Sequence, residues 1–271
     1  MRRLRLVDAV TGPSLAVVYE DNHVIVAVKP PGVLSQPDGS GAPDLPAMLK
    51  AYLKERCGKP GEVFLGIVHR LDRPVGGLMA FARTSKGAAR LSAQIRERTF
   101  EKGYLAVVHG QPKQDAGVLL GRIAKDAAAN RVRVLAADGG DGEEPEDDDG
   151  AEGPAKDAAL MYRTLATVPG PLTLLEIRLE TGRAHQIRAQ LADAGLPVAG
   201  DRKYGRGDDG VRDIALWSFR LGFDAPTRPE RLVFQAPPPA GKAPWDRFAA
   251  ALPPRRIPAP PAAPRTEAPR G

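Results

Sequence analysis

The sequence predicts an α+β fold, and three observations carry that expectation. Short β-type runs follow one another with little between them, apolar stripes at helical spacing occur singly and not after every strand, and no internal repeat links the segments. With 271 residues, 42% of them hydrophobic and 27% charged, the chain has enough apolar surface for a substantial core and is not disordered as a whole.

Taken in order, residues 15–28 (LAVVYEDNHVIVAV) are two β-branched runs around Glu20, Asp21 and Asn22, the signature of a hairpin with turn-forming residues in its middle. Residues 45–56 place Leu45, Met48, Leu49, Tyr52 and Leu53 on one helical stripe, with Asp44 as its N-cap and Gly58 as its stop. The apolar run FLGIV ends just before His69, after which Pro74 and the Gly76-Gly77 pair demand a turn. Ser85 to Arg98 reads as a second helix, with Ala88, Leu91 and Ile95 at helical spacing. Strands return in TFEKGYLAVVHG, RVRVLA, LMYRTLATV and LTLLEIRLE, and HQIRAQLADAG opens a third helix after Thr181-Gly182 that ends at Gly195.

The charge is unevenly placed. Lys and Arg number 39 against 33 Asp and Glu, a net +6, yet residues 138–152 (DGGDGEEPEDDDGAE) hold nine acids and no base. Setting those nine aside raises the rest of the chain from +6 to +15, a balance that favours an anionic partner. The acidic stretch repels itself and has nothing to bury, so an insertion at 138–157 is expected to be a solvated loop between two strands. Pro (27) concentrates toward the end, where residues 237–271 form a Pro-rich, basic tail expected to finish extended or disordered. Cys57 is the single cysteine, which excludes an internal disulfide framework and a multi-thiolate metal site and suits a reducing compartment. The four histidines, His23, His69, His109 and His185, have no i, i+4 pairing, so no metal is expected. Residues 1–14 read as a short extension with a basic head and no apolar stretch behind it, and no window approaches the roughly 18 apolar residues of a membrane span. The expected address is cytoplasmic, with no membrane partner.

Three segments combine chemically active residues on otherwise apolar elements. In Val68-His69-Arg70-Leu71-Asp72-Arg73-Pro74 one carboxylate stands between two arginines on a turn, and cations beside a carboxylate favour the charged form that a nucleophile or base needs. The competing reading of that segment is a structural ion pair. In Glu101-Lys102-Gly103-Tyr104 strand alternation puts Lys102 and Tyr104 on one face, where an aromatic ring stacks on a base while the cation meets phosphate; a tyrosine on a strand is otherwise simply core. In Thr181-Gly182-Arg183-Ala184-His185-Gln186-Ile187-Arg188 a glycine turn feeds a helix whose first turn carries two arginines, a histidine and a glutamine, a basic helix start that attracts anions.

HRLDR followed by GGLMAFARTSKGAARL, then EKGYLAVVHG, then TGRAHQIRAQLADAGLPVAGDRKYG, in this order, resembles the RluA-type RNA pseudouridine synthases. Lys29-Pro30-Pro31-Gly32 is similar to that family's early KPxG stretch and Leu216 to Gln235 to its closing strands, so the resemblance spans about residues 15–236. It implies a mixed, mainly antiparallel central sheet flanked by helices, with the active-site cleft across it. It also implies an isomerase that converts specific uridines of structured rRNA or tRNA to pseudouridine without a cofactor. No stretch signals a coiled coil or an exposed apolar helix, so a monomer without an obligate protein partner is expected. Residue by residue, the family's catalytic aspartate falls on Asp72, its active-site tyrosine on Tyr104, and the basic partner of the aspartate on Arg188, with Arg183 the second candidate. RNA contacts are expected from Arg70, Arg73, Lys102, Arg183, His185, Gln186 and Ile187. After HRLDR the chain departs from the family pattern, with Pro74, Val75 and Gly76 where an acidic or polar residue, Thr and Ser commonly stand.

Other readings fit less of the chain. Val26-Ala27-Val28-Lys29 and His69-Arg70-Leu71-Asp72 imitate two protein-kinase motifs, but there is no glycine-rich loop ahead of the lysine, no DFG, and two prolines follow the lysine directly. A two-carboxylate glycosidase needs a second acid in a motif, with only Glu101 or Glu180 nearby. A non-catalytic RNA-binding factor on the same fold predicts the loss of an active-site residue, whereas Asp72, Tyr104 and Arg188 are all present.

Overall fold

In a computed structural model the α+β expectation holds: one twelve-stranded sheet, antiparallel but for a single pair, carries three helices among the described residues. Those residues are 5–7, 15–58, 61–126, 129–136, 154–239 and 241–258. The acidic stretch expected to be a solvated loop, most of residues 1–14 and the end of the tail lie outside them.

In chain order the elements are β1 (Arg5–Val7), β2 (Leu15–Glu20), β3 (Val24–Lys29), α1 (Leu45–Cys57), β4 (Gly66–Ile67), β5 (Gly76–Ala82), α2 (Ser85–Arg96) and β6 (Glu101–His109). They continue as β7 (Ala116–Asp126), β8 (Arg131–Leu135), β9 (Lys156–Val168), β10 (Leu172–Leu179), α3 (Gln186–Asp193), β11 (Leu216–Asp224) and β12 (Arg231–Gln235). The strands lie in the order β1-β2-β3-β5-β11-β6-β10-β9-β7-β8, with β4 on β5 and β12 on β11.

Local chemistry explains the first elements. In the β2–β3 turn the Asp21 carboxylate accepts the backbone N–H groups of His23 and Val24, each at 2.8 Å, and so closes the hairpin. Asp44 caps α1 by accepting from the Ala47 N–H at 2.8 Å, and Gly58, at φ 55°, ends it in the left-handed region. Thr84 caps α2 by accepting from the Gly87 N–H. That helix stops at Arg96, short of the Arg98 expected: Arg98 is at φ 58°, and the N–H groups of Thr99 and Phe100 both turn back to the Gln94 carbonyl.

Both faces of the β3-β5-β11 region are covered. Ile25, Ala27, Met79 and Phe81 face a core shared with Leu45, Leu49 and Leu53 of α1, while Val24, Val26, Leu78 and Ala80 face a second core with Leu91 of α2 and Phe223 and Phe234. Burial on both faces removes the apolar–polar alternation, which is why all seven residues of β5 are buried. The Pro-rich stretch after residue 236 begins by packing on the body. Trp245 and Phe248 are buried in the first core, and Gln235 and Arg256 exchange backbone hydrogen bonds.

The single parallel pair joins β5 to β11 through Trp217 opposite Gly76 and Ser218 opposite Gly77. Gly77 has φ 119°, and a Cβ there would stand 2.3 Å from the Ser218 carbonyl oxygen, so only glycine fits. The loop carrying Asp72 enters β5 at this point.

Candidate active site

A cavity of about 640 Å³ opens where the loop between β4 and β5 meets β6, the end of β10 and the start of α3. All ten residues expected at the site line it: Asp72, Arg70 and Arg73 from the loop, Lys102 and Tyr104 from β6, and Arg183, His185, Gln186, Ile187 and Arg188 at and before α3.

The Asp72 loop is pinned from beneath by the residues that follow β3. Ser35 Oγ donates to the Leu71 carbonyl at 2.6 Å and accepts the Leu71 N–H at 3.0 Å, and the Gly32 N–H donates to the Arg73 carbonyl at 2.8 Å. Lys29 is fully buried at the end of β3, and its ammonium donates to the carbonyls of Pro30, Val33 and Arg73 at 3.1, 2.6 and 2.9 Å. Burial draws its pKa down to about 7, with the Asp72 charge pulling up and the Arg73 guanidinium pulling down. The three acceptors match the three hydrogens of the ammonium, so the lysine ties three backbone groups on either side of the loop. His69 is also buried; its Nε2 accepts the Ala80 N–H at 3.0 Å, and burial holds its pKa down near 3.

Across the cavity, Arg188 Nη1 donates to Asp72 Oδ2 at 3.0 Å, with the arginine side chain 5% and the aspartate side chain 23% exposed. The other edge of the guanidinium is gripped by Asp201, which accepts from Nε and from Nη2 at 2.7 Å each. Asp201 is held in turn by the backbone N–H groups of Lys203 and Tyr204 at 2.9 and 3.1 Å. Burial disfavours both charges, yet their mutual fork holds the Asp201 pKa below the usual carboxylate range and the Arg188 pKa above its own. One guanidinium thus bridges a buried, backbone-anchored carboxylate and a partly exposed one. Arg183 points elsewhere: its Nε donates to the Asp157 carbonyl at 3.0 Å and the residue is exposed.

His185 Nε2 lies 3.9 Å from Asp72 Oδ2, and its Nδ1 is 2.8 Å from the Tyr204 hydroxyl. That hydroxyl also accepts the Val132 N–H at 2.8 Å, which ties the imidazole to the start of β8. The Tyr204 ring lies against Arg188, with its centroid 5.2 Å from the guanidinium carbon. His185 sits at φ 52°, and α3 starts only at Gln186, so Arg183 and His185 precede the helix and are not in its first turn as the sequence suggests. Gln186 holds this turn together: its carbonyl oxygen accepts from Thr181 Oγ1 and the Arg183 N–H, and its amide donates to the Ala159 carbonyl. Gln186 and Ile187 line the cavity from within the fold, both buried.

Tyr104 is buried on β6, and burial together with the Asp72 charge pushes its phenol pKa up, so the hydroxyl keeps its proton. Lys102, two residues before it on the same face, is held below the usual lysine pKa by burial and approaches the Gly182 turn. Arg70 and Arg73 are exposed at the rim. Lys29, Asp201 and Tyr204 belong to the site although no pattern in the sequence assigns them a part. The hints are that Lys29 opens the KPxG-like stretch and that Asp201 and Tyr204 stand in GDRKYG after α3, both within the family resemblance. Among the described residues no group of three or more His, Cys, Asp or Glu is arranged to hold a metal ion.

Residues 23–193 match the profile of a family described as RNA pseudouridylate synthase. The chain is 34% identical over 227 residues to YlyB of Bacillus subtilis strain 168, named an uncharacterized RNA pseudouridine synthase, covering 83% of this chain and 69% of that protein. It is likewise 34% identical over 239 residues to the ribosomal large subunit pseudouridine synthase D of Neisseria meningitidis, covering 83% and 59%. The solved structure of human RNA pseudouridylate synthase domain containing 4 superposes with a TM-score of 0.66 at 22% identity, over 82% of this chain and 88% of that one, which establishes a common fold.

Proposed function

Because the chain belongs to the RNA pseudouridylate synthase family, and is therefore an RNA pseudouridine synthase, we propose that its targets are uridines in structured ribosomal or transfer RNA and that Asp72 acts at the ribose C1′. The isomerisation breaks the N1–C1′ bond, rotates the uracil and joins C5 to C1′. C5 loses a proton and N1 gains one, so nothing is oxidised or hydrolysed and the proposal includes no cofactor. Asp72 serves either by attacking C1′ or by removing a ribose proton to give a glycal, and both routes need a charged carboxylate at a fixed place.

The observation that carries the reading is the Arg188 bridge. A guanidinium locked by Asp201 is presented to Asp72 at 3.0 Å inside a partly enclosed cavity, where such a pairing is stronger than in open water. The loop ties from Lys29 and Ser35 hold the carboxylate in register with it. Tyr104 packs on the uracil, and its protonated phenol suits hydrogen transfer at the base more than action as a resting base. The target nucleotide has to leave its stack to reach Asp72, and Arg70 or Arg73 at the rim fills the gap or holds the flanking phosphates. Lys102, Arg183 and His185 line the same path, with Gln186 and Ile187 shaping its wall. The proposal places the enzyme in the cytoplasm as a monomer without an obligate protein partner; no described helix is long and apolar enough to cross a membrane.

The test is chemical mapping of pseudouridine across total RNA from cells with and without the chain, followed by the purified protein on the mapped RNA. Asp72→Asn and Asp72→Ala are expected to abolish turnover and keep RNA affinity. Turnover by either variant would sink the role given to Asp72.

A further inference from the structure

Arg188 belongs to two cavities. It lines the one that holds Asp72 and also a second, of about 530 Å³, walled by residues 31–32, 74, 129, 131, 200–203 and 212–214. Four more cations converge there, Arg131, Arg202, Lys203 and Arg212, against the carboxylates of Asp201 and Asp213. Asp201 is already occupied by the Arg188 fork and two backbone N–H groups. Arg202 and Arg212 are exposed and make no hydrogen bond or ion pair with any described residue. Lys203 gives one ammonium hydrogen to the Asn130 carbonyl and keeps two, and Arg131 lies over the Tyr204 ring, 6.0 Å from its centroid. Like charges gathered around a hollow repel one another until an anion enters, and burial, Arg188 and Arg131 all push the Lys203 pKa down.

We propose that this second cavity seats a backbone phosphate of the RNA strand, next to the nucleotide whose ribose faces Asp72, with Arg202, Lys203 and Arg212 as donors and Arg188 as the shared wall. The inference rests on the RNA reading above and deepens it. The substrate is a polyanion whose phosphates recur at every nucleotide, and the two cavities share Arg188 as a lining residue. A phosphate held there fixes the register of the strand, and with it which nucleotide is presented to Asp72.

The experiment uses the full chain and a transcript of large-subunit ribosomal RNA, on which salt-dependent affinity and pseudouridine formation are measured separately. The double variant Arg202→Gln with Arg212→Gln is compared with Lys50→Gln and Lys54→Gln together, two exposed cations on α1. Losing two phosphate contacts lowers the slope of log affinity against log salt by about 1.4 on a single strand. The KM for the transcript rises roughly tenfold or more, from the charge-assisted hydrogen bonds lost. The α1 control changes neither, and the charge-keeping pair Arg202→Lys with Arg212→Lys restores the slope, which separates lost charge from damaged folding. A slope equal to that of the control overturns the proposal, as does a fall in kcat with the slope unchanged, because the arginines would then act through Arg188. If the unaltered protein forms no pseudouridine in any RNA yet the slope falls as stated, the function assigned above fails while the phosphate seat stands.

Discussion

Replacing Asp201 by asparagine isolates the fork that aims Arg188. In the native site Arg188 Nε and Nη2 each donate to Asp201 at 2.7 Å, and Asp201 Oδ1 also accepts from the Lys203 and Tyr204 N–H groups. An asparagine with its carbonyl at the Oδ1 position keeps three of these bonds, but its amide then faces the Nε–H of Arg188, donor against donor. A hydrogen bond to a charged group contributes about 1.5–3 kcal/mol, and removing one member of a buried ion pair costs about 3–5 kcal/mol because a charge is left short of its partner. The two ranges meet near 3 kcal/mol, which for a chain of this size lowers Tm by about 6–12 °C. Arg188 also loses the constraint that sets it 3.0 Å from Asp72, and a misplacement of this kind costs roughly 10²-fold in rate. Thermal unfolding and single-turnover pseudouridine formation measure the two effects, with RNA affinity as the control expected to stay unchanged. A Tm drop with an unchanged single-turnover rate would reduce Asp201 to a structural group, and an unchanged Tm would refute the energetics as well.

Arg188→Met is expected to cut the rate with RNA affinity kept, whereas Arg183→Met, which removes an exposed guanidinium directed at the Asp157 carbonyl, weakens affinity first; equal rate losses without a binding change in both would overturn that division. Tyr104→Phe is expected to slow turnover by roughly 10²-fold through loss of the hydroxyl, and a fully active variant would leave the ring a stacking surface only. Lys29→Met leaves the carbonyls of Pro30, Val33 and Arg73 without their shared donor, at about 1–3 kcal/mol for each one that stays buried, so both Tm and turnover fall; native turnover in a variant with lowered Tm would show that the tie does not position Asp72. For acid stability, His69 has a folded pKa near 3 against 6.5 when unperturbed. Between those values the unfolded chain binds the extra proton, so stability is lost as pH falls below about 6.5, by up to 1.36 kcal/mol per pH unit from this group. Denaturation midpoints at successive pH values check it, and a profile as flat in the native protein as in His69→Phe would refute it.

What can be read from the chain tracks where periodicity survives folding. The β2–β3 hairpin, α1 and α2 are legible because Asp21, Asp44 and Thr84 act on neighbours a few residues away and each helix shows one apolar face. Strand β5 is not, because GGLMAFA is buried on both sides and alternates with nothing. Strand β7 hides for the opposite reason, since Val118 and Leu120 are apolar on its exposed face. The start of α3 is misread by a turn because His185 adopts a left-handed conformation that no glycine or asparagine announces. At the site, Asp72, Tyr104 and Arg188 emerge from a likeness of motifs, not from local physics: 116 residues separate Arg188 from Asp72. Lys29 and Asp201 acquire meaning only once the fold brings three carbonyls to one and a guanidinium to the other.

The parallel seam between β5 and β11 also sets how much of the chain must exist before the site can be assembled. Ser218 Oγ donates to the Leu78 carbonyl from 140 residues away, and Gly77 is pressed against the Ser218 backbone, so the start of β5, where the Asp72 loop enters, has no strand beside it on that edge until β11 exists; β4 covers only Phe81 and Ala82 there. On a ribosome adding about 5–20 residues per second, that gap is roughly 7–28 s of synthesis. During it the nascent chain carries the Asp72 loop but neither Arg188 nor the wall that holds it for most of the interval. The site around Asp72 is therefore complete only once the chain through β11 has been made and has docked.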